Sequence, residues 1–231
     1  MKKLNLVRAL LYTVLALMIF ILARPFGVSF NWALYAFALT SLVLLILWCD
    51  FEARHYDARM ISLLAVMCAF TVVSRQIIHG VEFSPVFFLV IITGYMFGFA
   101  PGFAVGSTVM LVSNFFLGQG PWTMFQMVGL GLCAALASFL PKTKNTRLTI
   151  LYLGAYSVAS AYLYGFFMDF FSWIVFVPTH TINSYLGVAL AGMVANTSRA
   201  VGNAFFVLAL YKPVHAVLER FKRRFTIVYL R

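Results

Sequence analysis

SPVFFLVIITGYMFGFAPGFAVG, residues 84–106, decides the fold class of this chain. It carries no Asp, Glu, Lys or Arg, and its apolar side chains run on without the in–out alternation of a barrel strand. In lipid such a stretch satisfies its own backbone only as a helix. Pro101 and its glycine neighbours interrupt it, so two apolar runs are expected, 84–100 and 102–118, parted at Ala100-Pro101-Gly102. Gly94, Gly98, Gly102 and Gly106 recur every four residues, a spacing that gives a smooth helix face for close backbone approach. The expected use of that face is internal packing of a bundle.

The same character extends outward. Of 231 residues, 63% are hydrophobic and only 10% charged, with a mean hydropathy of +0.96. Soluble domains run about 45–50% apolar and about 25% charged, and even large ones leave about a quarter of their unfolded surface exposed. One soluble core cannot hide this many apolar side chains, so a soluble enzyme is excluded. Further runs at 5–23, 32–49, 59–79, 123–140, 148–177 and 184–211 complete a set of eight, each near the roughly 20 residues a crossing needs. An all-α integral membrane bundle of about eight spans follows. Its breaks are expected at Arg24-Pro25, Asp50 to Asp57, Gly118 to Pro121, Pro141 to Arg147 and Pro178 to Asn183.

The net charge of +11 is explained by topology rather than by nucleic acid. With the N-terminus inside, the cytoplasmic side collects Lys2, Lys3, Arg8, Arg54, Arg59, Lys142, Lys144, Arg147, Lys212, Arg220, Lys222, Arg223, Arg224 and Arg231. Those are fourteen of the seventeen basic residues, leaving Arg24, Arg75 and Arg199. Both termini are therefore expected in the cytoplasm. The tail from Lys212 to Arg231 alternates charge with Phe221, Phe225 and Ile227 and is expected to lie as a surface helix on anionic lipid. Cys49, Cys68 and Cys133 sit in apolar runs without metal-ligand spacing, so neither a metal nor a cofactor is implied.

Against so little charge, the polar residues opposite the basic loops stand out. Counted at 1.5 Å per residue, Arg75 and Asp169 lie near the outer surface. At the same level come Gln76, His79, Glu82, Asn114, Gln119, Trp122, Gln126, Trp173, His180, Asn183 and Tyr185. Aromatic walls with a few fixed polar groups are how small ligands are held, and ionisable groups in spans are costly unless used. Arg75 is expected to pair with Glu82 or Asp169, or to reach the interface. Arg199, roughly 22 Å down the last run, is expected in the inner half, bonded within the bundle or reaching toward the cytoplasm. No GxSxG, HExxH or phosphate-loop motif occurs, and no acid lies near the midplane, which argues against ATP hydrolysis or a self-powered pump.

Three features carry a resemblance. They are the Arg59-to-Arg75 helix with Ala65 and Ala69 four apart, the Gly94–Gly106 series, and Gly120-Pro121-Trp122-Thr123-Met124-Phe125-Gln126-Met127, the most specific of the three. On these the segment from about Arg59 to Tyr211 resembles a substrate-binding S component of an energy-coupling factor (ECF) vitamin transporter, and the last string resembles the cobalamin-type members. The resemblance implies a six-helix core at 58–211, an added pair of spans at 1–57 that departs from the usual pattern, and a basic tail at 212–231. It implies a bacterial-type plasma membrane and capture of a vitamin, cobalamin or a precursor by best match, at the outer cluster. It further implies docking through Ala65 and Ala69 on a membrane coupling protein driven by two cytoplasmic ATPases, with no enzymatic activity of its own. Two other classes stay open: a stand-alone secondary transporter or channel, and an intramembrane enzyme using His79, Glu82 or His180.

Overall fold

The computed structural model describes residues 32–52, 56–77 and 82–228. Seven α-helices and no strands occur among them: α1 (Trp32–Glu52), α2 (Ala58–Ile77), α3 (Val86–Phe97), α4 (Phe99–Leu117), α5 (Trp122–Leu136), α6 (Thr146–Phe176) and α7 (Ile182–Val228). A 3-10 turn, Ala137–Phe139, ends α5. Five helices are long and apolar enough to cross a membrane, those beginning at Ala58, Phe99, Trp122, Thr146 and Ile182. The described residues are thus all-helical in their regular structure, and their long apolar helices fit a multi-pass membrane protein. The 5–23 run, Arg24-Pro25 and His79 lie outside the described residues.

The quoted stretch forms the centre, with two departures from expectation. The helix of the 84–100 run holds only twelve residues, Val86–Phe97, a length of about 18 Å against about 30 Å of hydrocarbon, and Phe99 and Ala100 already belong to α4. Helix α3 is therefore shorter than a full span, while five of the described helices reach the length and apolarity of one. The break also falls at Gly98 rather than at Pro101. Gly98 takes φ 106° and donates its N–H to the Gly94 carbonyl at 2.9 Å, a conformation open to glycine without steric cost. Pro101 then occupies the third position of α4, where a missing N–H removes no intrahelical bond.

Every residue of α3 from Val86 to Met96 is buried, because α2, α4, α5, α6 and α7 all pack against it. The glycine ridge makes this possible. A Cβ on Gly94 would stand 1.7 Å from the Ala134 carbonyl oxygen, and one on Gly102 would stand 2.7 Å from the Gly94 Cα. A Cβ on Gly106 would stand 2.8 Å from the Leu130 oxygen. Three backbones meet here with nothing between them, the expected internal use of the series.

Around this centre, α1 packs on α4, α5 and α6, while α2 leans on α3 and α4. The buried side of α2 is Leu63, Leu64, Met67, Cys68, Thr71 and Val72. Helices α6 and α7 form a long antiparallel pair, tied by Asn203 Nδ2 donating to the Ser157 carbonyl at 3.0 Å. The basic tail is not a separate surface helix: α7 continues through Pro213, and Leu218, 2% exposed, joins the core. Burial of Tyr211 and Leu218 holds the extension against the bundle.

Replacing Gly94 by Val should cost about 1–3 kcal/mol or more by overpacking a backbone junction, seen as a fall in the unfolding temperature of the purified protein in detergent. Gly154→Ala, where a Cβ meets nothing within 4 Å, should leave that temperature unchanged or raise it slightly.

Candidate functional site

The end of the bundle opposite the Lys142–Arg147 loop brings together the last turns of α2 and α4, the first turns of α5 and the segment leading into α3. In α2 the polar Arg75 and Gln76 follow a run of apolar residues and meet α4 through its two adjacent polar side chains. Arg75 donates Nη1 to Asn114 Oδ1 at 2.8 Å and to the hydroxyl of Ser113, and Gln76 donates to the Ser113 carbonyl at 3.1 Å. Asn114, 2% exposed, is the junction of the network. Its amide donates to Thr123 Oγ1 at 3.0 Å and to Gln126 Oε1 at 2.7 Å. Thr123 in turn donates to Gln119 Oε1 at 2.9 Å.

The Gly120-to-Gln126 string therefore has a structural use. Thr123 N–H donates to the Gly120 carbonyl at 3.0 Å as α5 begins, and a Cβ on Gly120 would stand 2.5 Å from the Trp122 ring. The string closes the α4–α5 turn and presents Thr123 and Gln126 to Asn114. Trp122 itself is exposed.

Arg199 is the main correction to the sequence reading. It belongs to this end and is not set apart in an inner half. Its guanidinium donates to Glu82 Oε2 at 2.8 and 3.1 Å and to Asn196 Oδ1 at 2.8 Å. It also stacks over Tyr164 at 5.1 Å and Phe87 at 5.8 Å. The reason is the short α3, whose leading segment descends alongside α7 before the helix starts. A Cβ on Gly202 would touch Phe83 at 3.1 Å, and Phe83 stacks on Phe205 and Phe206. Glu82 is the one non-glycine residue with positive φ, 54°, among the described residues. That conformation costs about 1–2 kcal/mol and is offset here by a doubly hydrogen-bonded ion pair. Arg75 accordingly pairs with neither Glu82 nor Asp169.

Between these groups lies a cavity of about 150 Å³ lined by Arg75, Glu82, Ser84, Val86, Phe87, Met110, Gln126, Tyr164, Met168 and Arg199. It has two guanidinium groups, one carboxylate, one amide and a wall of aromatic and thioether side chains. Such a set can clasp an anionic or amide-bearing group against an apolar floor. Among the described residues no group of His, Cys, Asp and Glu could hold a metal.

The remaining expected site residues lie apart. His180 and Tyr185 each pack edge-on against Trp173 at the tip of the α6–α7 hairpin, with Trp173 Nε1 donating to Ser184 Oγ at 2.8 Å. Nine residues, about 13 Å of helix, separate Trp173 from the cavity residue Tyr164. Asp169 stands between the two groups and accepts from Asn196 Nδ2 at 3.3 Å. Asn183 and Gln119 are exposed. Sequence reasoning missed Tyr164, Asn196 and Ser113. Asn196, Arg199 and Asn203, spaced by three and four on one apolar run, were the available signal. Ala65 and Ala69 are exposed on α2, in line with exposed Ala58 and Ser62.

Comparison with known protein families, with curated proteins and with solved structures finds no match.

Asn114→Ala should strip Arg75, Thr123 and Gln126 of a shared partner and cost about 1–3 kcal/mol, measured by chemical unfolding in detergent. Gln119→Ala, at the exposed edge of the same network, should cost less than about 0.5 kcal/mol.

Proposed function

We propose that this chain is the membrane-embedded substrate-binding subunit of an ECF-type importer, taking up a vitamin or related micronutrient. The observation that carries the reading is the cavity at one end of an otherwise apolar bundle, where Arg75, Arg199, Glu82 and Gln126 converge. A second observation supports it. The small-residue stripe Ala58, Ser62, Ala65 and Ala69 faces outward, the requirement for close docking of another helix. In this reading the stripe meets a transmembrane coupling protein, two cytoplasmic ATPases supply the energy, and the chain itself catalyses nothing.

The ligand enters from the Arg75 end. The GPWT-like resemblance favours cobalamin or a precursor. The cavity of about 150 Å³ is smaller than the about 300–1,000 Å³ usual for ligand sites. It therefore takes one amide or carboxylate arm of a corrinoid, with the Gly118–Pro121 and Val177–Thr181 connections parting for the rest, or a smaller vitamin outright. A stand-alone carrier is the second reading, favoured by the Arg199–Glu82 pair, a pairing typical of coupled transport pathways.

Purified protein should bind a member of a vitamin panel that includes cobalamin, with low micromolar or tighter affinity. Arg75→Ala should weaken that binding at least tenfold, measured by calorimetry. Ala65→Trp and Ala69→Trp should abolish assembly with a coupling module while leaving ligand binding intact; equal loss of both would assign the alanines to internal packing. Gradient-driven uptake into liposomes by this chain alone would establish the second reading instead.

A further inference from the structure

Two recesses flank the short α3. The one at the Gly98 end, a cavity of about 760 Å³, is ringed by basic side chains, three of which are engaged within the protein. Lys222 donates to the Met96 carbonyl at 2.8 Å, Arg223 pairs with Glu219 at 2.7 Å, and the Lys142 ammonium lies 5.7 Å from the Tyr95 ring centroid. The cavity beside Arg75 differs, because the groups lining it have hydrogen-bond donors to spare.

Arg199 and Glu82 answer each other's charge through two hydrogen bonds. Arg75 has no such partner. Its Nη1 donates to the Ser113 hydroxyl and, at 2.8 Å, to Asn114 Oδ1, both uncharged. Among the described residues no carboxylate pairs with it, and its Nε and Nη2 donors have no acceptor. Two guanidinium groups against one carboxylate leave this cavity with one positive charge in excess. A charge at the end of an apolar bundle is costly unless it is used.

The other free groups are donors too. Gln126 Oε1 accepts from Asn114, which leaves both N–H groups of Nε2 without an acceptor among the described residues. Tyr164, 5% exposed, stacks its ring on Arg199, and its hydroxyl has no hydrogen-bond partner among those residues. Surplus donors and one surplus positive charge match a group that only accepts and carries a single negative charge, which describes a carboxylate. The guanidinium fork fits its two oxygens. An amide brings N–H donors of its own and no charge, whereas a phosphate brings about −1.5 to −2, more than one guanidinium balances. The rest of the wall, Phe87, Met110 and Met168, is apolar and suits a compact apolar body next to the acid.

We infer that this cavity binds the carboxylate of its ligand, held by Arg75, Gln126 and Tyr164, with an apolar part of the same molecule against Phe87 and the two methionines. The inference rests on the importer reading and narrows it: the imported molecule is an acid, and its acid group enters first.

The test uses the full-length chain purified in a neutral detergent, with benzoate, benzamide and phenyl phosphate as probes that share a ring and differ in head group. Equilibrium dialysis against protein-free micelles gives the dissociation constants. One benzoate per chain should bind, about tenfold or more tighter than benzamide, the difference expected of hydrogen bonds to a charged group. Arg75→Gln should bring the two probes within about twofold of each other. Gln126→Glu keeps an acceptor for Asn114 and gives Arg75 a carboxylate of its own, so benzoate binding should fall about tenfold while benzamide changes less than about threefold. That variant carries the test if Arg75→Gln fails to fold. Arg147→Gln, which removes equal charge far from the cavity, should leave the benzoate preference within about twofold. No saturable benzoate binding, equal affinity for benzoate and benzamide, or a preference that survives both cavity variants overturns the inference; so does phenyl phosphate binding more tightly than benzoate. A panel of vitamins run on the same preparation separates the two readings. A vitamin that binds while benzoate shows no preference leaves the importer and removes the carboxylate site; benzoate preference with no vitamin bound does the reverse.

Discussion

The bundle depends on the contact between the backbone of Gly94 and the carbonyl of Ala134. Lipid offers helices little hydrophobic reason to associate, so close van der Waals approach must supply it, and only residues without side chains allow backbones to come so near. With Gly94, Gly102 and Gly106 opening one side, α3 fits between α4 and α5 while α2, α6 and α7 cover its other faces. A helix buried all round must be apolar all round, which explains why Val86 to Met96 carries only Thr93 and Tyr95 as polar side chains. Thr93 keeps its hydroxyl on the Leu89 carbonyl at 2.7 Å, within its own helix.

Both recesses follow from the length of that helix. Twelve residues do not fill the thickness that the neighbouring helices occupy, so a shortfall remains above and below. At one end the chain descends through Glu82 and Phe83 to meet Arg199 and Gly202, and the Arg75 cavity forms beside it. At the other the Gly98 reversal leaves space that Lys142, Lys144, Lys212, Lys222 and Arg223 surround. Polar chemistry thus appears at the two ends of the described bundle, separated by an apolar centre with no Asp, Glu, Lys, Arg or His in α3.

Much of this was legible beforehand. The uncharged stretch and the runs beside it announce apolar helices, the glycine spacing announces their closest contact, and Arg75, Glu82, Asn114 and Gln126 stand out in the sequence as polar groups of one end. Sequence and structure part where every run is counted as a full crossing at equal depth. That arithmetic placed Arg199 far from Glu82, since it could not know that one helix is short and its leader re-enters. The same assumption merged Trp173, His180 and Tyr185 with the Arg75 group, although the α6–α7 hairpin carries them to its tip. The continuation of α7 past Pro213 was hidden because a proline and a charge run read as a boundary, whereas burial of Leu218 outweighs both.

The sequence by itself determined what composition and spacing control: helices, an apolar environment, a glycine-mediated junction and a scarcity of charge that marks the few polar residues as meaningful. Only the tertiary structure decided which of those residues meet. Partners such as Arg199 and Glu82, more than a hundred positions apart, are joined by the relative depth of helices. Depth is set by where each helix starts and stops against its neighbours, a property of packing across the bundle that local periodicity does not contain.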